Sequence, residues 1–226
     1  MTPFPRTTNY HAKESLDLIH GDLCGPISSM TYGDNRYFML LVDDFSRFMW
    51  EFLLKNKNET RVVFKKFKIS VEVEKGKKIK SFRTDRGGEF VSTTFKDYDE
   101  NEDMKRFLTA PSSPQQNGGV ERRNRTVVEM NRCMLKSKEM PAKFWGEAVK
   151  TAVYILNKSP TKGVADGTSY QAWFDKILKV YHFKIFGCLA HANNTYSHLL
   201  KVANRSVKTI MLGYEDGTKA YRLLDP

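Results

Sequence analysis

Apolar and polar residues change rhythm several times along the chain, and each change marks an element. Leu16 to Cys24 reads as a short strand, stopped by Gly25-Pro26. Arg36 to Val42 and Phe48 to Leu54 are two further apolar β runs, linked through Asp43-Asp-Phe-Ser-Arg47 with hairpin character. Over 58–74 the period lengthens: Val62, Val63, Phe67 and Val71 suit an amphipathic helix, ended by Gly76. Ile79 to Thr84 returns to a strand, 92–101 suggests a short helix, and Met104 to Thr109 a fifth strand. Two prolines and a Gly-Gly pair exclude regular structure from Pro111 to Gly119. Val120 to about Lys138 and Pro141 to about Asn157 are then helical, the second around Phe144, Trp145, Ala148, Ala152, Ile155 and Leu156, with Pro141 in its first turn.

Three strands with short links predict an antiparallel meander, and strands reached through helices run parallel to the first. The expected architecture is therefore α/β: a ribonuclease H-like mixed five-stranded sheet flanked by helices, over 15–159. Beyond it, 160–226 is punctuated by glycines and predicts a small β-rich C-terminal extension, in which Lys208–Gly213 and Lys219–Leu224 form a β-hairpin. Residues 1–14 read as a polar leader or linker.

Composition narrows the function. The 226 residues are 40% hydrophobic and 28% charged, enough to build a core, with a net charge of +11 that favours a polyanionic partner. No stretch of about 18 apolar residues predicts a membrane span, and Met1–Arg6 has no apolar core of a secretory signal. Cys24, Cys133 and Cys188 are scattered without metal-ligand spacing, and are expected to be reduced, buried residues of an intracellular protein.

Against that basic background, three acids stand in unusual settings: Asp22 in His-Gly-Asp-Leu-Cys-Gly-Pro, Asp85 in Arg-Thr-Asp-Arg-Gly-Gly-Glu-Phe, and Glu121 in Glu-Arg-Arg-Asn-Arg. An aspartate at a strand end is ordinarily a cap or a surface charge. Three carboxylates from distant segments of a basic chain instead fit divalent cations acting on a phosphodiester, because hard ions such as magnesium take oxygen ligands. Two ions about 4 Å apart are the usual arrangement for such displacement chemistry. If the strands bearing Asp22 and Asp85 are neighbours, the two acids meet at one sheet edge, and Glu121 reaches across from the first turn of its helix. Asp17, Asp43, Asp44 and Glu89 are rival carboxylates. Strand alternation is expected to turn Asp17 away, and Asp43-Asp44 to close a turn. His20 is read as structural, pointing to the opposite side of the strand from Asp22. On the helix after Glu121, Arg122, Arg125, Glu129, Arg132 and Lys136 share one side, while Val120, Val127, Asn131 and Met134 share another. Arg122 and Arg125 beside an acid of this kind favour phosphate contact over a solvated ion pair.

At these residues the chain resembles the integrase of Ty1/copia-type LTR retrotransposons, the plant elements in particular. The matching words are His20–Pro26, Val42–Arg47, Arg83–Phe90, Leu108–Pro111, Pro114–Gly118, Glu121–Thr126, Phe144-Trp145, Leu156–Pro160, Phe186–Cys188 and Tyr221–Pro226. They span 15–226, and 35 residues separate Asp85 from Glu121, as in retroviral integrases. The resemblance implies that Asp22, Asp85 and Glu121 are catalytic and bind two Mg²⁺ ions, for which Mn²⁺ can substitute. It implies 3′-end processing and strand transfer of element DNA into target DNA, and DNA contacts at Gln116, Asn117, Arg122, Arg125 and Arg132. A homo-oligomer acting in the nucleus, with no membrane involvement, completes the expectation.

Two departures from the family pattern stand out. Ser112-Ser113 replaces an aromatic and a threonine, and Gly119 replaces an apolar residue, which loosens the loop beside the acids. Family members also begin with a His/Cys zinc domain, so 1–14 reads as the linker remnant after it. An initiating Met1 on such a piece suggests a degenerate element fragment, a domesticated gene or an excised piece. The alternative reading is a catalytically weak or inactive nucleic-acid-binding remnant. A nuclease that hydrolyses without joining, and a protein-interaction module built on the C-terminal part, are the other rivals.

Overall fold

A computed structural model describes residues 12–85, 104–108, 118–164, 167–193, 204–215 and 217–225. Eight strands are described: β1 Ile19–Cys24, β2 Tyr37–Asp43, β3 Met49–Leu54, β4 Ser81–Thr84, β5 Lys105–Leu108, β6 Leu189–Asn193, β7 Ser206–Tyr214 and β8 Tyr221–Leu224. The α-helices are α1 Thr60–Lys75, α2 Gly118–Ser137, α3 Trp145–Asn157 and α4 Ser169–Phe174. The first five strands form one sheet in the order β3-β2-β1-β4-β5. β1, β2 and β3 pair antiparallel, whereas β1–β4 and β4–β5 are parallel. This is the expected mixed sheet flanked by helices. The helix expected over 92–101 lies outside the described residues.

Alternation along the strands sorts the core into two layers. On one face Ile19, Met39, Leu41 and Phe82 pack under Phe64, Phe67 and Val71 of α1, with Trp173 of α4 at the margin. On the other, Phe38, Leu40, Val42 and Met49 pack under Val120 and Val127 of α2 and under Trp145, Val149 and Ala152 of α3. Burying each large side chain contributes about 1.5–3 kcal/mol. The phase of α1 differs from expectation at its start, where Val62 is exposed and Phe64 buried. Lys68 is buried too, its ammonium held 3.0 Å from Glu72, whose carboxylate also accepts the Ile79 amide that leads into β4. Gly76 closes α1 in the left-handed conformation (φ 63°), a position that disfavours a Cβ. Pro141 precedes a 3₁₀ turn, Ala142–Phe144, rather than lying in the first turn of α3.

The hairpin is present as β7–β8, and β6 makes it a three-stranded sheet. Its irregularity lies between Met211 and Gly213. Gly213 sits at φ 152°, and a Cβ there would stand 2.7 Å from the Thr151 hydroxyl of α3. That hydroxyl donates to the Leu212 carbonyl at 3.0 Å, so the bulge is where this sheet docks on the core. Phe144, Ala148, Phe186 and Leu212 fill the junction. Among the described residues no helix is long and apolar enough to cross a membrane. All three cysteines are free; Cys24 and Cys188 are half-buried, but Cys133 is exposed, on the outer side of α2, contrary to the expectation of burial.

Candidate metal and DNA site

β1 supplies the first acid. Asp22 lies opposite Leu40 of β2, so it shares the face covered by α2 and α3. The parallel register pairs His20 with Arg83 and Gly21 with Thr84, and one step further along it brings Asp22 beside Asp85, the residue that follows β4. That neighbour relation follows from the strand order alone, since β4 joins the edge of β1 not used by β2. Gly21 makes the close pairing possible. A Cβ at Gly21 would stand 2.7 Å from the ring of Phe82, which stacks on Phe64 with ring centroids 4.2 Å apart.

Glu121 stands in the first turn of α2, which crosses this face of the sheet with Val120 and Val127 turned inward. Desolvation of its carboxyl on the sheet side, then the negative charges of Asp22 and Asp85, push its pKa above the ordinary glutamate value, against the pull of Arg122 and Arg125. The three acids therefore sense one another. They are not, however, gathered into one ligand cluster: among the described residues no group of three acid, histidine or cysteine side chains stands close enough to hold a metal ion. The donor set itself fits a hard divalent cation, three carboxylates sharing one end of the sheet with the positive charge that would relieve Glu121.

Asn124 is the residue that sequence reasoning missed. It is 7% exposed, one turn along α2 from Glu121, and its Nδ2 donates to Asp22 Oδ2. The Leu23 amide donates to Asp22 Oδ1 at 2.9 Å. The Asn124 side-chain oxygen is buried without a hydrogen-bond partner. The i, i+3 spacing from Glu121 was the available signal. Arg122, Arg125 and Arg132 are exposed along α2, as the helical phase predicts. Gln116 and Asn117, and the departures Ser112 and Ser113, lie outside the described residues.

The rival acids have other occupations. Asp43 is fully buried: one oxygen accepts the Leu16 amide at 2.9 Å, the other the Ser46 amide and hydroxyl at 2.8 and 2.7 Å. Asp44 accepts from the Ala12 amide at 2.9 Å, His20 Nε2 at 3.1 Å and Arg47 at 2.7 Å. Asp17 precedes β1, so strand alternation does not govern it; it caps the 12–17 turn through the Lys13 and Glu14 amides and pairs with Lys80 at 2.7 Å. His20 is structural through its bond to Asp44, but on the same face as Asp22 rather than the opposite one, because residues two apart on a strand point the same way.

Residues 12–114 match the integrase core domain family, and residues 188–226 match the retroviral polymerase SH3-like domain. The chain is 40% identical over 221 residues to a retrovirus-related Pol polyprotein from transposon TNT 1-94 of Nicotiana tabacum, covering 98% of this chain and 17% of that protein. The Pol polyprotein from transposon RE2 of Arabidopsis thaliana is 31% identical over 98% of this chain and 15% of its own length. The chain thus spans about a sixth of the polyproteins it matches. Among solved structures, a simian T-cell lymphotropic virus intasome in complex with PP2A regulatory subunit B56 gamma aligns with TM-score 0.60 at 14% identity, over 98% of this chain and 80% of that one. The HTLV-2 integrase catalytic core domain in complex with magnesium aligns with TM-score 0.51 at 18% identity, over 72% of this chain and 99% of that one. Sequence and fold agree: the chain carries an integrase core domain of the retrotransposon Pol type, and is related over nearly its whole length to the copia-type Pol polyproteins of plants.

Proposed function

We propose that the chain is the catalytic core of a polynucleotidyl transferase that processes 3′ ends of element DNA and joins them to target DNA, with Asp22, Asp85 and Glu121 as its metal-binding residues. The observation that carries this reading is the β1–β4 register, which sets Asp22 beside Asp85 at the sheet end faced by Glu121. Two magnesium ions, when bound by these carboxylates, supply Lewis-acid stabilisation of charge on the phosphodiester. The magnesium named for the HTLV-2 catalytic core supports a divalent ion in this fold.

The protein's own part is positioning. Asn124 and the Leu23 amide fix the two oxygens of Asp22, and Gly21 lets Phe82 pack so that β1 and β4 stay in register. Arg122 and Arg125 flank Glu121 and bind phosphate oxygens of the DNA, with Arg132 further along the same helix. A DNA 3′-hydroxyl then displaces the 3′-oxygen of a target phosphodiester: one P–O bond forms, one breaks, and no covalent protein intermediate is needed. The expectations that the chain works as an oligomer in the nucleus, and that 160–226 is an extension of the 15–159 core, belong to this proposal. The intasome and the dimeric and trimeric forms named for the structural neighbours support assembly.

A second reading, a DNA-binding remnant without chemistry, is favoured by one observation: the three acids are not drawn into a single ligand group. Disintegration of branched DNA separates the two. Magnesium-dependent resealing that disappears in Asp85→Asn supports the transferase; a folded, DNA-binding protein with no resealing supports the remnant.

A further inference from the structure

On the flank of α2 lie two arginines, of which only one is paired with a carboxylate among the described residues. Arg123, on the flank of α2 opposite Arg125, is only partly exposed, and its guanidinium donates to the neutral Thr161 hydroxyl at 2.7 Å. The turn that carries Thr161 lies flat on Arg47: a Cβ at Gly163 would stand 3.0 Å from Arg47 Cγ and Nε. Arg47 in turn pairs with Asp44, whose charge is already engaged by His20 and the Ala12 amide. Among the described contacts, then, Asp44 bonds Arg47 and not Arg123. Burial and the positive charge of Arg47 both lower the Arg123 pKa, the electrostatic sign of a cation short of a counter-ion.

The bland account is that Arg47 merely staples the β2–β3 turn. Its backbone weighs against that being all. Arg47 adopts φ 62°, where glycine or asparagine is the low-cost choice, so a long cation stands at a position that disfavours it. Arg123 is likewise not required by its hydroxyl partner, which any donor would satisfy.

The group also has a defined place relative to the acids. His20, which contacts Asp44, stands two residues from Asp22 on the same face of β1, about 7 Å along the strand. Arg123 precedes Asn124, the residue that bonds Asp22, although two steps along the helix turn it away from Glu121 itself. We propose that Arg47 and Arg123, held by the Thr161–Gly163 turn, form a phosphate subsite that grips a backbone phosphate of bound DNA. Paired guanidiniums suit this task because each presents a planar fork of donors to phosphate oxygens. The subsite rests on the nucleic-acid reading of the acid site, but it makes a binding claim that chemistry does not enter.

The test is a salt titration of duplex DNA binding, by fluorescence anisotropy without divalent metal, on the whole chain. Arg123→Gln should weaken binding and lower the slope of log affinity against log salt by about 0.9, the loss of one phosphate contact; Arg123→Lys should keep most of the slope. Thr161→Val, which removes the hydroxyl that holds Arg123 without changing charge, should lower the slope less than Arg123→Gln does. A folded Arg123→Gln protein with the wild-type slope overturns the proposal. If Arg123→Gln does not fold, Arg123→Met decides: a folded Arg123→Met protein with the wild-type slope would overturn it. Inorganic phosphate distinguishes the source of the ligand. Phosphate that stabilises the wild type against heat, with a DNA slope insensitive to Arg123→Gln, would mean a free-anion site and overturn the DNA assignment. A chain that never joins DNA yet loses slope in Arg123→Gln would refute the transferase reading while supporting the subsite.

Discussion

Two sets of three carboxylates lie on or beside the same small part of the sheet, and the fold treats them in opposite ways. Asp17, Asp43 and Asp44 are 5%, 0% and 7% exposed, and backbone amides, a serine, a histidine, a lysine and an arginine are turned toward them. Asp22 and Asp85 are only half-buried and Glu121 is exposed, at the end of the sheet rather than under its turns. Among the first set, Asp44 is held well below the usual carboxylate range: burial opposes this, but His20, the Ala12 amide and Arg47 outweigh it. In the second set, Glu121 is pushed the other way by burial and by the charges of its two fellow acids. The lesson is chemical. An acid whose oxygens are filled by the protein's own donors is part of the scaffold: Asp43 has its pKa raised by burial, as Glu121 does, yet both its oxygens are occupied. On the proposed reading, the acids at the sheet end that solvent reaches are the ones that take a cation from outside.

Mutations should split along that line. The largest effect is expected for Asp85→Asn, which should lower metal-dependent resealing by about three orders of magnitude, the loss of several kcal/mol of transition-state stabilisation. Its thermal stability should stay within about 0.5 kcal/mol of the wild type, as for a substitution outside the core. Asp43→Ala should do the reverse, costing about 3 kcal/mol in denaturant titration because three buried donors lose their acceptor. Asn124→Ala sharpens the comparison from the other side. It supports Asp22 without being an acid, and its loss should reduce activity about 10- to 100-fold, as removal of groups that orient metal ligands does.

Asp44→Asn should cost about 1–3 kcal/mol at neutral pH. Its folded-state pKa is depressed, so the stability it contributes is present above the unfolded value near 3.9 and is lost as pH falls through the lower folded value. The difference between wild type and Asp44→Asn in chemical denaturation should accordingly shrink below about pH 3.9. Asp43 carries the opposite sign, its pKa raised by burial, and does not contribute to that acid-side loss. The smallest expected effect is that of Gly119→Val, which restores an apolar residue where the family pattern has one and should leave cleavage undiminished in a parallel assay.

Much of the fold was legible because each element announces itself locally. The apolar runs Arg36–Val42 and Phe48–Leu54, the longer period of 58–74 and the breaker pair Gly25-Pro26 depend on near neighbours only; Gly118-Gly119, expected to exclude regular structure, instead opens α2, because the helix needs no side chain in its first turn. The mix of antiparallel and parallel pairing followed from connection lengths; that β4 joins β1, and so sets Asp22 beside Asp85, stood only as a condition until the strand order met it. What stayed hidden is non-local. Asn124 reaches Asp22 across 102 residues, and Arg123 meets Thr161 across 38, so neither contact leaves a trace in the local pattern. The exposure of Val62 and the burial of Lys68 show the same limit, since the phase of α1 is set by the sheet beneath it and by Glu72. The side of β1 taken by His20 was open to reason from strand geometry, and periodicity read correctly puts it with Asp22.

The central claim is that Asp22, Asp85 and Glu121 await a cation while Asp17, Asp43 and Asp44 do not, and calorimetric titration with Mn²⁺ tests it most directly. The wild type should bind, binding should weaken as pH falls through the raised pKa of Glu121, and Asp85→Asn should abolish it while Asp44→Asn, if folded, leaves it intact. Binding that survives Asp85→Asn unchanged, or that disappears with Asp44→Asn in a folded protein, would contradict the account.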